Sequence, residues 1–196
     1  GAAYADINSP HFNPTVNKTG EAIHTDENLY GSYYQWQRAS DGHEFKNPQT
    51  TPDKAQSWTV TGEAAGKFIT GSYNWAKNGE KASDLELQLW QVGGVNNPCP
   101  SGYHVPTEQE WEQFYDAVGS NNQMYTQNKL PNLAAAGFRS YSNGSLYHKG
   151  SNGYYWSSSA IGSSSASGMY FDSGSSSTYS THRVRGHSVR CIKDNN

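Results

Sequence analysis

The side chains in this sequence that could do chemistry are seven histidines, two cysteines, the carboxylates and a dense set of serines near the carboxy terminus. His11, His24, His43, His104, His148, His182 and His187 are scattered along the chain. The close pair, His182 and His187, is separated by an odd number of residues, which on a strand sends the two rings to opposite faces and is a poor start for a metal site. No loop alternates Asp or Asn with Gly as calcium requires. No serine sits in a G-x-S-x-G nucleophile elbow. Gly62-Glu63-Ala64-Ala65-Gly66-Lys67 is one residue short of a phosphate loop, and Phe68 stands where Ser or Thr would hold magnesium. Glu108, Glu110 and Glu112 lie close together, but acidic residues in a first helical turn are favoured by the helix dipole without any catalytic role. No metal, cofactor or enzymatic activity is therefore expected.

What remains is the chemistry of binding. Tyrosine offers a large amphipathic contact area at low entropy cost, and serine offers small, adaptable hydrogen bonding. Tyr141, Tyr147, Tyr170 and Tyr179 with Ser163, Ser165, Ser175, Ser177 and Thr181 would make such a surface, to which Asp172, His182, Arg183 and Arg185 add charge. On the competing reading, the serines are solvated loop and the tyrosines half-buried packing. If the surface is real, Ser175→Ala and Tyr179→Ala should change stability little.

These residues need a frame. A chain of 196 residues suits one domain able to bury a real core. Aliphatic residues are sparse, and the apolar mass lies in 14 tyrosines, 6 tryptophans and 6 phenylalanines. Buried rings offset that shortage at roughly 1.5–3 kcal/mol each. Twenty glycines and many Ser, Asn and Thr point to a loop-rich β or α+β domain. A formal net charge of −3 without basic runs argues against nucleic acid or an anionic membrane as partner. No apolar run is long enough to span a bilayer.

The strongest local signal is a helix over about 107–118. Thr107 is its N-cap, Glu110 completes a capping box, Trp111, Phe114, Tyr115 and Val118 form one apolar stripe, and Gly119 ends it. Residues 1–28 read as an irregular arm broken by Pro10 and Pro14. Leu29 to Ala39 alternates, placing Tyr34 and Trp36 on one face of a strand. Phe45 to Lys81 is a long, turn-rich excursion. Leu85, Leu87 and Leu89 share a parity and predict a strand, as does Leu130 to Ser140, and Tyr141 to Asn152 reads as a polar hairpin or loop. In the last stretch, Trp156, Met169, Tyr170, Phe171, Val189 and Ile192 recur at strand-like intervals. Cys99 and Cys191 permit a single pairing, either a disulfide closing a loop of about 90 residues or two buried thiols.

Several motifs in order resemble one family. Asn97-Pro98-Cys99-Pro100-Ser101-Gly102-Tyr103, Val105-Pro106-Thr107-Glu108 with Glu110-Trp111, Ala136-Gly137-Phe138-Arg139-Ser140, Gly153-Tyr154-Tyr155-Trp156-Ser157-Ser158 and Ser188-Val189-Arg190-Cys191-Ile192-Lys193 look like the Fibrobacter succinogenes major paralogous domain. Tyr34-Gln35-Trp36 and Ala39-Ser40-Asp41-Gly42-His43-Glu44 extend the match, which spans about residues 30–194. The resemblance implies an α+β, C-type lectin-like fold of the formylglycine-generating-enzyme type, with short antiparallel strands and long loops in a single domain over 29–196. It also implies kinship with the variable proteins of diversity-generating retroelements, in which adenine-directed mutagenesis randomises a carboxy-terminal surface, here about 141–185. Asn codons mutated at adenines never yield Lys, Glu, Gln, Trp or Met, and between Ser157 and Ile192 only Met169 breaks that rule. The resemblance further implies a non-enzymatic receptor-binding protein, extracellular on a bacterial surface or phage particle, whose partner is a protein or glycan on a target cell. The other reading is a fixed carbohydrate-binding or adhesion module. The resemblance places both cysteines in framework positions rather than in an active site.

Overall fold

The computed structural model describes residues 3–4, 23–119, 123–127, 130 and 132–194. In chain order the strands are β1 (Ala3–Tyr4), β2 (Tyr34–Gln35), β3 (Thr50–Thr51), β4 (Phe68–Ile69) and β5 (Tyr103–His104). Helices α1 (Glu108–Val118) and α2 (Gln123–Thr126) come next. Then come β6 (Phe138–Arg139), β7 (Leu146–Tyr147), β8 (Gly153–Ile161), β9 (Ser165–Phe171), β10 (Ser176–His182), β11 (Gly186–His187) and β12 (Arg190–Lys193). The sheets run β10-β9-β8, β2-β11-β6-β7, β1-β12-β5 and the pair β3-β4. The architecture is mixed helix and strand, and most strands are only two residues long.

Short strands leave many backbone carbonyls outside any ladder, and a buried carbonyl without a partner is costly. Tryptophan indoles take several of them. Trp36 donates Nε1–H to the Ser157 carbonyl at 2.8 Å, Trp75 to Trp36 at 2.8 Å, Trp90 to Arg38 at 3.1 Å, Trp111 to Trp156 at 3.1 Å and Trp156 to Tyr34 at 2.6 Å. The same rings fill the core, where Trp36, Trp75, Trp90 and Trp156 are fully buried. Tryptophan supplies both apolar volume and a directed donor, which lets irregular backbone be buried. The β8–β9 ladder shows this locally. Between Trp156 and Ala160 the register shifts, and the released groups are taken up by Trp36 at the Ser157 carbonyl and by Pro106, whose carbonyl accepts from Ser158 N at 2.8 Å.

Helix α1 forms as its local signals predict. Thr107 Oγ1 accepts from Glu110 N at 3.2 Å, Glu110 Oε1 accepts from Thr107 N at 3.0 Å, and Gly119, at φ +116°, donates to the Tyr115 carbonyl. Trp111 is buried, and Phe114, Tyr115 and Val118 pack beside it on Met124, Leu133, Tyr155, Met169 and Phe171. The helix thus covers one face of β8 and β9. His104 holds its start to the chain end, its ring bridging Glu110 at 2.7 Å and Asp194 at 2.6 Å.

Three expected strands are corrected. Residues 29–39 contain only the two-residue β2, and burial does not alternate, because residues 32–38 are all buried. Gln35 explains it: its amide donates to the Ile69 and Val184 carbonyls at 2.7 Å each and accepts from Ile69 N and Arg38 Nη1, so even the polar positions face protein. Leu85–Leu87 is a 3-10 turn and Leu85 is exposed. The Gln37 side chain, donating to the Glu86 carbonyl and accepting from Leu89 N, stands where a neighbouring strand would be needed. Residues 132–137 are irregular, and only Phe138–Arg139 pairs. The expected close approach is real at Gly137, where a Cβ would lie 2.1 Å from the Tyr147 carbonyl oxygen.

Of the arm expected over 1–28, residues 5–22 lie outside the described residues. Ala3–Tyr4 pairs in parallel with β12, and Ile23 and His24 are buried in the fold. The cysteine alternative resolves to a Cys99–Cys191 disulfide. Among the described residues, no helix is long and apolar enough to cross a membrane.

Candidate functional site

Among the described residues, Asp41, His43 and Glu44 form a trio with metal-capable atoms within 4.8 Å of one another. Their hydrogen bonds identify a structural network. Gln35 N donates to His43 Nε2 at 3.0 Å, so that nitrogen carries no proton; Nδ1 carries it and donates to Asp41 Oδ1 at 2.7 Å. Asp41 also receives Arg38 Nε at 2.9 Å, and Glu44 receives Gly42 N at 2.8 Å. A protonated Nε2 would set N–H against N–H. Burial first and the Arg38 charge second push the ring from 6.5 down to about 4, against the pull of Asp41 and Glu44. Burial alone would raise the Asp41 carboxyl, but its bonds from His43 and the Arg38 charge hold it at about 2.

This network makes stability depend on pH. The unfolded ring takes up its proton near 6.5 and the native ring only near 4, so the unfolded chain binds more protons in between. Stability should fall by roughly 2–3 kcal/mol as pH drops through that window. Urea unfolding at several pH values reads this directly, and a flat profile in the wild type would show that His43 is not held neutral.

Of the tyrosines and serines expected to face a ligand, several are exposed. Tyr141 and Tyr147 flank the β6–β7 turn and are 39% and 43% exposed. His182, at the end of β10, stacks on Tyr73 with ring centroids 3.9 Å apart, and Tyr141 lies edge-on to His182 at 6.5 Å. No sequence pattern marks Tyr73, 52% exposed, as a site residue. It sits in the turn-rich excursion, far along the chain from the serines, and only its exposure in the fold reveals it. Arg185 lays its guanidinium 3.9 Å from the Phe138 ring centroid and donates to Thr181 Oγ1 at 3.0 Å. Phe138 in turn stacks on Tyr147. Residues 181–185 and 138–147 thus hold one aromatic and basic band. Ser175 and Ser177 are exposed along β10 and its turn, as is Ser163 in the β8–β9 turn, while Ser165 is half-buried where β9 meets His182.

Three expected surface residues serve the frame instead. Arg183 has no exposed surface. It donates to the carbonyls of Ser165, Gly79 and Gly162 and lies over the Trp36 ring, tying loops to the core. Asp172 builds the β9–β10 turn, accepting from Gly174 N and Ser175 N at 2.8 Å each and from the Tyr170 hydroxyl. That hydroxyl, first among its partners, lowers its pKa. Tyr179 is half-buried, not free. Its ring crosses Gly168, where a Cβ would lie 2.4 Å from the Tyr179 hydroxyl, and it shares a hydrogen bond with buried His187. Burial raises its pKa and lowers that of His187. Tyr179→Ala is accordingly expected to cost about 2–3 kcal/mol and Tyr179→Phe about 1 kcal/mol, measured by denaturant unfolding. A Tyr179→Ala variant as stable as the wild type would restore the surface assignment.

A disulfide-closed, mixed helix-and-strand domain with tryptophan-anchored loops and an exposed aromatic band is thus the class of protein that fold and site define. The chain belongs to the Fibrobacter succinogenes major domain family, whose model matches residues 5–193. That match also takes in residues 5–29, which the motif resemblance does not reach. No curated protein and no solved structure matches the chain.

Proposed function

We propose that this domain is a non-enzymatic binding module that presents Tyr73, Tyr141, Tyr147, His182, Arg185 and the serines of β10 to a macromolecular partner, a protein or glycan on a target cell surface. The exposed Tyr73–His182–Tyr141 cluster carries the reading: three rings stand together at the surface, where apolar contact area is available to a partner and adds little to the core. The finer form of the proposal is a C-type lectin-like scaffold of the formylglycine-generating-enzyme type, serving as the variable protein of a diversity-generating retroelement. Its support is that β10 exposes Ser177, Thr178 and Ser180, positions tolerant of exchange, while Met169 is fully buried, as a fixed framework residue should be. Display outside the cell, on a bacterium or phage particle, suits the disulfide, since such bonds persist in oxidising compartments.

Tyr73 also favours a second reading. It lies outside residues 141–185 yet contributes the most exposed ring of the cluster, as a fixed carbohydrate-binding surface would require. Binding to a panel of glycans and target cells tests the shared claim. Tyr73→Ala with Tyr141→Ala should weaken binding at least tenfold while the denaturation midpoint stays within the error of the wild type. Retained affinity would refute the surface. Near-identical copies differing almost solely within 141–185 beside a reverse transcriptase gene would select the variable protein, and one glycan bound by all copies would select the fixed lectin.

A further inference from the structure

The structure has a second concave feature that the aromatic band does not use. A cavity of about 220 Å³ opens between the segment carrying Tyr30 and Tyr33, the chain at Lys46 and Asn47, and the β6–β7 hairpin at Arg139 and Leu146. We propose that it binds the oxyanion of a small acidic ligand, a carboxylate or sulfate, through Arg139 and Lys46.

Charge carries the inference. Lys149 and Glu27 also line the cavity but neutralise each other, with Nζ and Oε1 2.6 Å apart. Among the described residues, neither Arg139 nor Lys46 has a carboxylate within ion-pair distance, so the wall sets three cations, Lys46, Arg139 and Lys149, against the one carboxylate of Glu27 on a chain whose formal net charge is −3. Arg139 is only 7% exposed. Its Nη1 donates to the Gly144 carbonyl at 2.9 Å, its Nη2 donates to the Lys46 carbonyl, and the guanidinium lies 5.3 Å from the Tyr33 ring centroid. Its Nε is buried and has no partner among the described residues. A guanidinium has five N–H donors in a planar fork that matches an oxyanion. Two carbonyls satisfy two of them and supply no negative charge. A buried cation without a counter-ion is costly, and an anion entering from the open side would remove that cost. The backbone contacts also hold the fork in place beforehand, so less freedom is lost on binding.

Amide-resolved NMR titration of the folded protein at low salt tests this with glucuronate, with glucose as its neutral counterpart and inorganic sulfate as competitor. Glucuronate should shift the Lys46, Arg139 and Leu146 signals saturably, sulfate should reverse those shifts, and glucose should leave them alone. Lys46 is exposed, so Lys46→Glu should keep the fold and weaken glucuronate binding at least about tenfold. Arg139→Gln should abolish it, scored only if the variant's thermal unfolding shows a folded protein. No saturable response to either anion up to about 20 mM, equal shifts with glucose, or unchanged affinity in Lys46→Glu would overturn the site. Binding at the Tyr73 surface is untouched by any of these outcomes, so the two readings stand or fall separately.

Discussion

Replacing Trp156 with alanine is expected to lower the unfolding free energy by about 3–5 kcal/mol, the range for deleting a large aromatic from a core. The residue joins three parts of the fold at once. Its indole donates to the Tyr34 carbonyl at 2.6 Å, its ring stacks on His187 at 4.4 Å, and its own carbonyl accepts from Trp111 at the helix. The alanine variant loses the packing and also removes the indole donor from the Tyr34 carbonyl. Trp156→Phe keeps most of the ring but not the N–H, and should recover more than half of the loss. Trp58 is the internal control. It packs in the same core, yet among the described residues its Nε1 has no partner, so Trp58→Phe should cost less than Trp156→Phe. Guanidinium unfolding of these variants decides the point, and equal losses for the two phenylalanine variants would show that the indole hydrogen bonds do not hold the loops.

Removing the cross-link is the second large effect. Cys99 and Cys191 lie 92 residues apart in sequence, and closing a loop of that size stabilises by about 4–5 kcal/mol on the chain-entropy model. Domains of this size are typically stable by about 5–15 kcal/mol, so the bond is a large fraction of the whole. It also joins elements that pack together anyway: Cys191 lies in β12, which pairs with β5 just after Cys99. Without it the carboxy-terminal strand is held by short ladders, its packing and the His104–Asp194 contact. Cys99→Ser with Cys191→Ser, or reduction of the wild type, should lower the denaturation midpoint accordingly. An unchanged midpoint would mean that β1, β12 and β5 hold the chain end unaided.

Elements specified within a few residues are legible in the sequence itself. Helix α1 runs where its capping box, aromatic stripe and terminal glycine place it, because each signal acts within one or two turns. The strands of the last stretch are legible too, since Met169 and Phe171 share a parity and pack toward the helix, while Trp156, opposite Gly168, packs on the other side of the sheet. Positions whose state depends on distant partners are not. Leu85, Leu87 and Leu89 have strand parity but no neighbouring strand among the described residues, and the Gln37 amide holds the turn instead. Arg183 looks like a surface charge in a serine-rich segment, yet the carbonyls that bury it come from Gly79, Gly162 and Ser165.

The amino-acid order alone determined family membership, the helix and its limits, and a Tyr- and Ser-rich carboxy-terminal end. Those properties reside in local pattern and in the order of motifs. Tertiary structure alone decided that the cysteines are joined, that Tyr179, Asp172 and Arg183 serve the frame, and that Tyr73 belongs beside His182. The physical reason is distance along the chain: the bonds that settle these matters, such as Trp36 to Ser157 across 121 residues, link groups whose neighbourhood no local window contains.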